Sequence, residues 1–138
     1  GENKEKNTVY ALNTVAFHYK NYPIPIRTNS LIRIYLINMT EFDPLNSFHI
    51  HGTFFEHYPG GTKLTPDNYL DIVSLVQAER SILDVNFKYP GMWMFHSHVT
   101  EFAGKGGMGL FRVKPDSGGA IYNSAGYPDN ESYDSPKP

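Results

Sequence analysis

Met92-Trp93-Met94-Phe95-His96-Ser97-His98-Val99 is an apolar, aromatic run interrupted only by His-Ser-His. Side chains alternate faces along a β-strand, so His96 and His98 point the same way. A second such pair lies upstream in Phe48-His49-Ile50-His51-Gly52, and the two motifs together hold four of the six histidines in the chain. If the two strands are neighbours, His49, His51, His96 and His98 converge on one patch. Imidazole suits copper, zinc, iron and nickel, and the chain reads as built to present this four-histidine patch.

Outward from these motifs the pattern stays β. Leu31 to Met39 (LIRIYLINM) alternates with both faces largely apolar, which predicts a strand central in a sandwich. Asp71 to Val76 and Arg80 to Tyr89 read as two more strands, the second with Ile82, Asp84, Asn86 and Lys88 on a wet face. Val9 to Tyr19 is rich in strand formers, and Leu110 to Val113 closes the domain with a short strand. Asn21–Pro25, Glu41–Asn46, Tyr58–Thr62 and Pro90-Gly91 read as turns. With about seven or eight short strands and no convincing helix, the expected fold is an all-β Greek-key sandwich or barrel.

A chain of 138 residues fits one domain with a real core. That domain is expected to run over residues 1–113, with 1–8 frayed. Residues 114–138, rich in Pro, Gly, Ser, Asn, Asp and Tyr, read as a tail or linker. A net charge of −2 gives no electrostatic case for nucleic acid or an anionic membrane surface. No run approaches the ~20 apolar residues of a membrane-spanning helix. No signal-peptide pattern is visible, so any such segment is expected to have been removed or never present. The absence of cysteine excludes disulfides, thiolate ligands and cysteine nucleophiles. Asn38-Met39-Thr40 and Asn130-Glu131-Ser132 match the glycosylation triplet, which is common by chance.

A lone His-x-His is weak evidence, because strand histidines often form a polar face or a satisfied core position. Two pairs inside aromatic strands are harder to dismiss, since burying four unpartnered imidazoles is costly and a metal removes the cost. The remaining polar residues carry less. His57, just before a turn, reads as a surface or packing histidine, and His18 has no partner in sequence. Glu101 is either a carboxylate that orients an imidazole or a plain surface group. Asp43, Asp71 and Asp84 show no catalytic pairing. Gly104 to Gly109 lacks the strand–helix context of a phosphate loop.

At this point the chain resembles a cupredoxin domain of the multicopper oxidase family, which includes laccases, ceruloplasmin-like proteins and two-domain bacterial and archaeal oxidases. The resemblance runs from about Val9 to Val113. It is carried by SFHIHG, by the YPGGT…D…V…AER block, by YPGMWMFHSHVTEF and by GMGLFRV. The spacing of the two histidine motifs is also the family's. The resemblance implies copper: His49 is similar in position to a type 2 ligand, and His51, His96 and His98 to type 3 ligands, of a trinuclear cluster that reduces dioxygen to water. It also implies what is missing. The type 1 pattern is His-x-x-His-x-His followed by His-Cys-His-x-x-x-His, and Asn46, Ser97 and Phe102 stand at three of its ligand positions. Met108 lies near the usual axial position, but without the other ligands it reads as packing.

What the resemblance implies is half of a trinuclear site, with electrons from a type 1-bearing cupredoxin domain in the same longer polypeptide or in a separate chain. A homotrimer with clusters at its interfaces, as in two-domain members, is one expected assembly, and an extracytoplasmic location is expected by the same resemblance. Two alternatives stay open. One is a non-catalytic copper-binding or copper-sensing domain, and the other is an interface copper protein like the nitrite reductases, which share the fold.

Overall fold

The structure, a computed structural model, describes residues 8–117. It is a two-sheet β-sandwich. The strands are β1 (Ile24–Arg27), β2 (Ile32–Ile37), β3 (Leu45–Ile50), β4 (Phe55–Pro59), β5 (Asn68–Leu70), β6 (Ile72–Val76), β7 (Arg80–Val85), β8 (Gly91–His96) and β9 (Met108–Lys114). Two short helices, α1 (His18–Asn21) and α2 (Thr100–Gly104), interrupt them. One sheet has the order β1-β9-β8-β3-β6 and the other β2-β7-β4-β5, so the all-β sandwich expected from the alternating pattern is what forms. Among the described residues no helix is long and apolar enough to cross a membrane, which says nothing of a β-barrel.

The core lies between the sheets. Phe48, Ile50, Phe95, Phe111 and Val113 from one sheet meet Phe55, Leu83 and Val85 from the other, with Phe87 beside them, and Phe55, Leu83, Val85 and Phe87 are fully buried. Phe95 is the hub: its ring centroid lies 4.5 Å from that of Phe111 and 5.7 Å from that of Phe48. Because β3 and β8 turn Phe48, Ile50 and Phe95 inward, strict alternation sends His49, His51 and His96 to the opposite, outer face. Apolar packing on one side of the sheet thus fixes where the imidazoles go on the other.

Several sequence expectations need correction. Val9–Tyr19 is not a strand: Asn13, Thr14 and Phe17 adopt left-handed backbone angles, which leaves one isolated bridge between Leu12 and Val15, followed by α1. The Pro23–Pro25 region is not only a turn. It includes the start of β1, which pairs in parallel with β9 at the sheet edge, where a proline's missing N–H is tolerated. β2 is an edge strand, not a central one, and its outer-face residues Tyr35 and Ile37 are 74% and 51% exposed. Two apolar faces report what a strand can pack against, not which strand stands beside it. The wet face of β7 is also only partly wet, because β7 is flanked by β2 and β4 and Asp84 is buried. Asn38 is buried, with its amide nitrogen donating to the Leu75 carbonyl at 3.0 Å, so that glycosylation triplet points its acceptor inward. Asn130 and most of the 114–138 segment lie outside the described residues.

Asp84 is buried because Arg33 across the ladder pairs with it through two parallel hydrogen bonds of 2.7 Å each. The Arg33 guanidinium outweighs the opposing effect of burial and holds the Asp84 carboxyl below the usual carboxylate range. A depressed carboxylate contributes stability that is present above its unfolded value and lost as pH falls through the folded one. Arg33→Ala is therefore expected to lower the urea midpoint at neutral pH, with the difference from wild type shrinking in acid as Asp84 protonates. An equal difference at both ends of a pH series would show that the pair contributes through packing alone.

Candidate metal centre

The register supplies the site. His49 on β3 stands directly opposite His96 on β8, with Ile50 opposite Phe95. His51 follows β3 by one residue, and its backbone N–H donates to the Met94 carbonyl at 2.8 Å, which holds it against β8. All four rings are neighbours. The centroids lie 5.0 Å apart for His49 and His51, 5.4 Å for His49 and His96, 5.2 Å for His51 and His96, and 5.3 Å for His49 and His98. Within this group, ring nitrogens of His49, His51 and His96 all lie within 4.8 Å of one another. His98 is exposed and stands at the edge, its ring 5.5 Å from that of His96.

Two backbone carbonyls fix the tautomers. The Nδ1–H of His49 donates to the Asp71 carbonyl at 2.8 Å, and that of His96 donates to the Ser97 carbonyl at 2.7 Å. In both rings this leaves the Nε2 lone pair free, the arrangement in which metal-binding histidines are held. His96 Nε2 lies only 3.1 Å from His51 Nε2. Burial, followed by the neighbouring His49, His96 and His98, pushes the His51 imidazole below its usual value and keeps it neutral. Three imidazoles whose ring nitrogens converge in this way are a fitting donor set for copper.

Asp71, which showed no catalytic pairing in sequence, belongs to this site. Its carboxylate lies 3.8 Å from His49 Nδ1, and it lines an open depression with His49, His51 and Trp93. The signal that could have found it is the strand pairing, because β6 runs beside β3 with Ile72 opposite His49. His57 does not join the site. It is the packing alternative: 8% exposed, with its Nε2 3.0 Å from Ser81 Oγ, and burial lowers its basicity. His18 is exposed beside Tyr19 and Tyr22. Glu101 pairs with Lys105 one helical turn on and is exposed, which makes it the plain surface carboxylate of the two readings.

The positions where type 1 ligands would stand are occupied by other interactions. Ser97 Oγ donates to Asn46 Oδ1 at 2.6 Å, and Asn46 Oδ1 also accepts the Ser47 N–H at 2.7 Å. Phe102 is buried, its ring stacked on that of Tyr10 at 4.1 Å. Tyr10 in turn donates to Asp43 at 2.7 Å, and burial together with this carboxylate pushes its hydroxyl up to about 12. No thiolate and no further imidazole is offered there.

The sequence profile described as multicopper oxidase matches residues 1–117. The chain belongs to the multicopper oxidase family. Among curated proteins, multicopper oxidase mco of Staphylococcus aureus is 38% identical over 69 residues, which make up 48% of this chain and 15% of that protein. Among solved structures, a multicopper oxidase aligns with 52% identity and a TM-score of 0.76 over 77% of this chain and 37% of its own. The copper-containing nitrite reductase of Thermus scotoductus SA-01 aligns with a TM-score of 0.73 over 82% of this chain and 27% of its own. At 24% identity it shows the fold alone. The chain thus spans only a minor part of these relatives' lengths. It is a multicopper oxidase-type cupredoxin domain, of a family whose members bind copper.

Proposed function

We propose that this domain supplies half of a trinuclear copper site, with His49 as the type 2 ligand and His51, His96 and His98 as type 3 ligands. The observation that carries the reading is the direct cross-strand pairing of His49 with His96, which gathers both His-x-His pairs on the outer face of one sheet. An outward-facing half-site calls for a second cupredoxin domain to face it, and Asn46, Ser97 and Phe102 require that partner to bring the type 1 copper. The partner belongs to the same longer polypeptide or to another chain, a homotrimer being one such assembly, in an extracytoplasmic setting. The folded unit we assign to this role ends with β9, near Val113, and we assign the segment beyond it as a tail or linker.

Bound copper would supply the transfer of four electrons to dioxygen, which with four protons leaves as two waters. The chain's own residues hold the rest. The Asp71 and Ser97 carbonyls accept the Nδ1–H groups of His49 and His96, which leaves Nε2 as the ligand atom of each ring. Trp93 walls the depression beside His49 and His51. The Asp71 carboxylate lines the same depression, 3.8 Å from His49 Nδ1.

A second reading has its own support. The grouping of His49, His51 and His96 within 4.8 Å is what a single copper held by three imidazoles needs, in a binding or sensing domain or an interface site. Copper stoichiometry with oxygen consumption separates the two. The protein combined with a type 1-bearing cupredoxin partner is expected to hold about three coppers per interface and to consume oxygen. One copper per chain with no oxygen consumption overturns the trinuclear reading.

A further inference from the structure

The four histidines open on two different depressions. His49 and His51 line the one that holds Asp71, whereas His96 and His98 line a second one, together with Met94 and Met108. The two methionines come together through the β8–β9 register. Met108 stands directly opposite His96, and Met94 lies two residues before His96 on the same strand face. Directly opposed residues bring their Cβ atoms within roughly 5 Å, and diagonal neighbours lie roughly 7–8 Å apart, within reach of long side chains. Neither methionine is in the core: the inward face of this strand pair is Phe95, Gly109 and Phe111, and Met94 and Met108 are half-buried on the other side.

We infer that Met94, Met108 and His98 form a copper(I)-accepting site beside the histidine patch. The chain has no cysteine and four methionines, so thioethers are its only soft donors, and two of the four line one depression with two imidazoles. Thioether sulfur selects Cu(I), while divalent zinc and copper favour nitrogen. His98 is the exposed member of the four and lies outside the trio whose nitrogens cluster, so it can turn to the methionines while His49, His51 and His96 keep their arrangement. Binding is ligand exchange without a redox step: Cu(I) arrives reduced and stays reduced. The inference goes beyond the trinuclear reading and shares only His98 with it as a ligand.

The test uses the full chain, metal-free and under anaerobic conditions. Methionine methyl resonances are followed during titration with Cu(I) and, separately, with Zn(II). Cu(I) affinity is measured by competition with a chromophoric Cu(I) chelator. The Met94 and Met108 methyls are expected to shift with Cu(I) and not with Zn(II). The near-isosteric double change Met94→Leu with Met108→Leu is expected to weaken Cu(I) binding about tenfold or more while leaving Cu(II) content unchanged. Methyls unmoved by Cu(I), or a double variant with wild-type Cu(I) affinity, would overturn the inference. A protein that holds no Cu(II) but shows the Cu(I)-specific methyl shifts overturns the trinuclear reading and leaves this one standing.

Discussion

Replacing His96 by alanine is expected to remove most of the bound copper while leaving the β-sheet circular dichroism of the metal-free protein unchanged. His96 sits at the centre of the patch, opposite His49 in register and with its Nε2 3.1 Å from His51 Nε2. Losing even a residue that merely orients a metal ligand typically weakens affinity roughly 10–100-fold, so losing the ligand itself should cost at least that. The fold has no comparable stake in the ring. The core beneath it is Phe48, Ile50, Phe95 and Phe111, and His96 faces away from that core, so the cost to apo stability should stay within about 1 kcal/mol. His98→Ala is expected to lower copper content in the same direction. Metal analysis after dialysis, paired with circular dichroism and urea unfolding of the apo-protein, checks both halves. Should the wild-type apo-protein prove unfolded, the metal is structural and the assignment fails in kind.

Gly52→Ala is expected to damage both the fold and the site. Gly52 directly follows His51 and adopts φ +80, a left-handed conformation that costs an L-residue about 1–2 kcal/mol. A Cβ placed there would also fall 2.4 Å from the six-membered ring of Trp93. The indole cannot simply slide away, because its Nε1–H donates to the Tyr89 carbonyl at 3.1 Å. Strain and overpacking together should cost about 2–4 kcal/mol, and the relaxation that relieves them moves either Trp93 or His51. The urea midpoint and the copper content should therefore fall together. A variant that is destabilised yet retains full copper would show that Trp93 yields and His51 does not.

The histidine patch was legible in the sequence because two rules suffice for it. Alternation along a strand pairs each His-x-His on one face, and the aromatic residues between them state which face is buried. What was illegible depended on neighbours that no local pattern encodes. LIRIYLINM is apolar on both sides whether the strand lies at the centre or the edge of a sheet, and β2 proved to be the edge. β1 was hidden because Pro23 and Pro25 signal a turn unless one knows that the strand needs hydrogen bonds on one side only. The strand-forming composition of residues 9–19 lost to left-handed backbone at Asn13, Thr14 and Phe17. Asp71 entered the site through pairing between β3 and β6, 22 residues away from the His49 ring that it serves. Ser97 and Asn46 could be read as absent ligands, but their mutual hydrogen bond is a matter of two chain segments meeting.

The five-stranded sheet is joined in an uneven way. β3 pairs with β6 over five residues and β8 with β9 over six, yet β3 and β8 meet in register at only two pairs, one of them His49 with His96. The sheet is two halves sewn together by a short ladder, and such a seam is where transient local opening is least costly. A metal bound on both sides of it engages only the closed state and disfavours opening by mass action. Copper would then act as a stitch as well as a reactant. The amide hydrogen of His51, which bridges the seam to the Met94 carbonyl, would exchange with solvent more slowly as the metal is added, whereas those buried in the β2–β7 ladder of the other sheet would barely notice it.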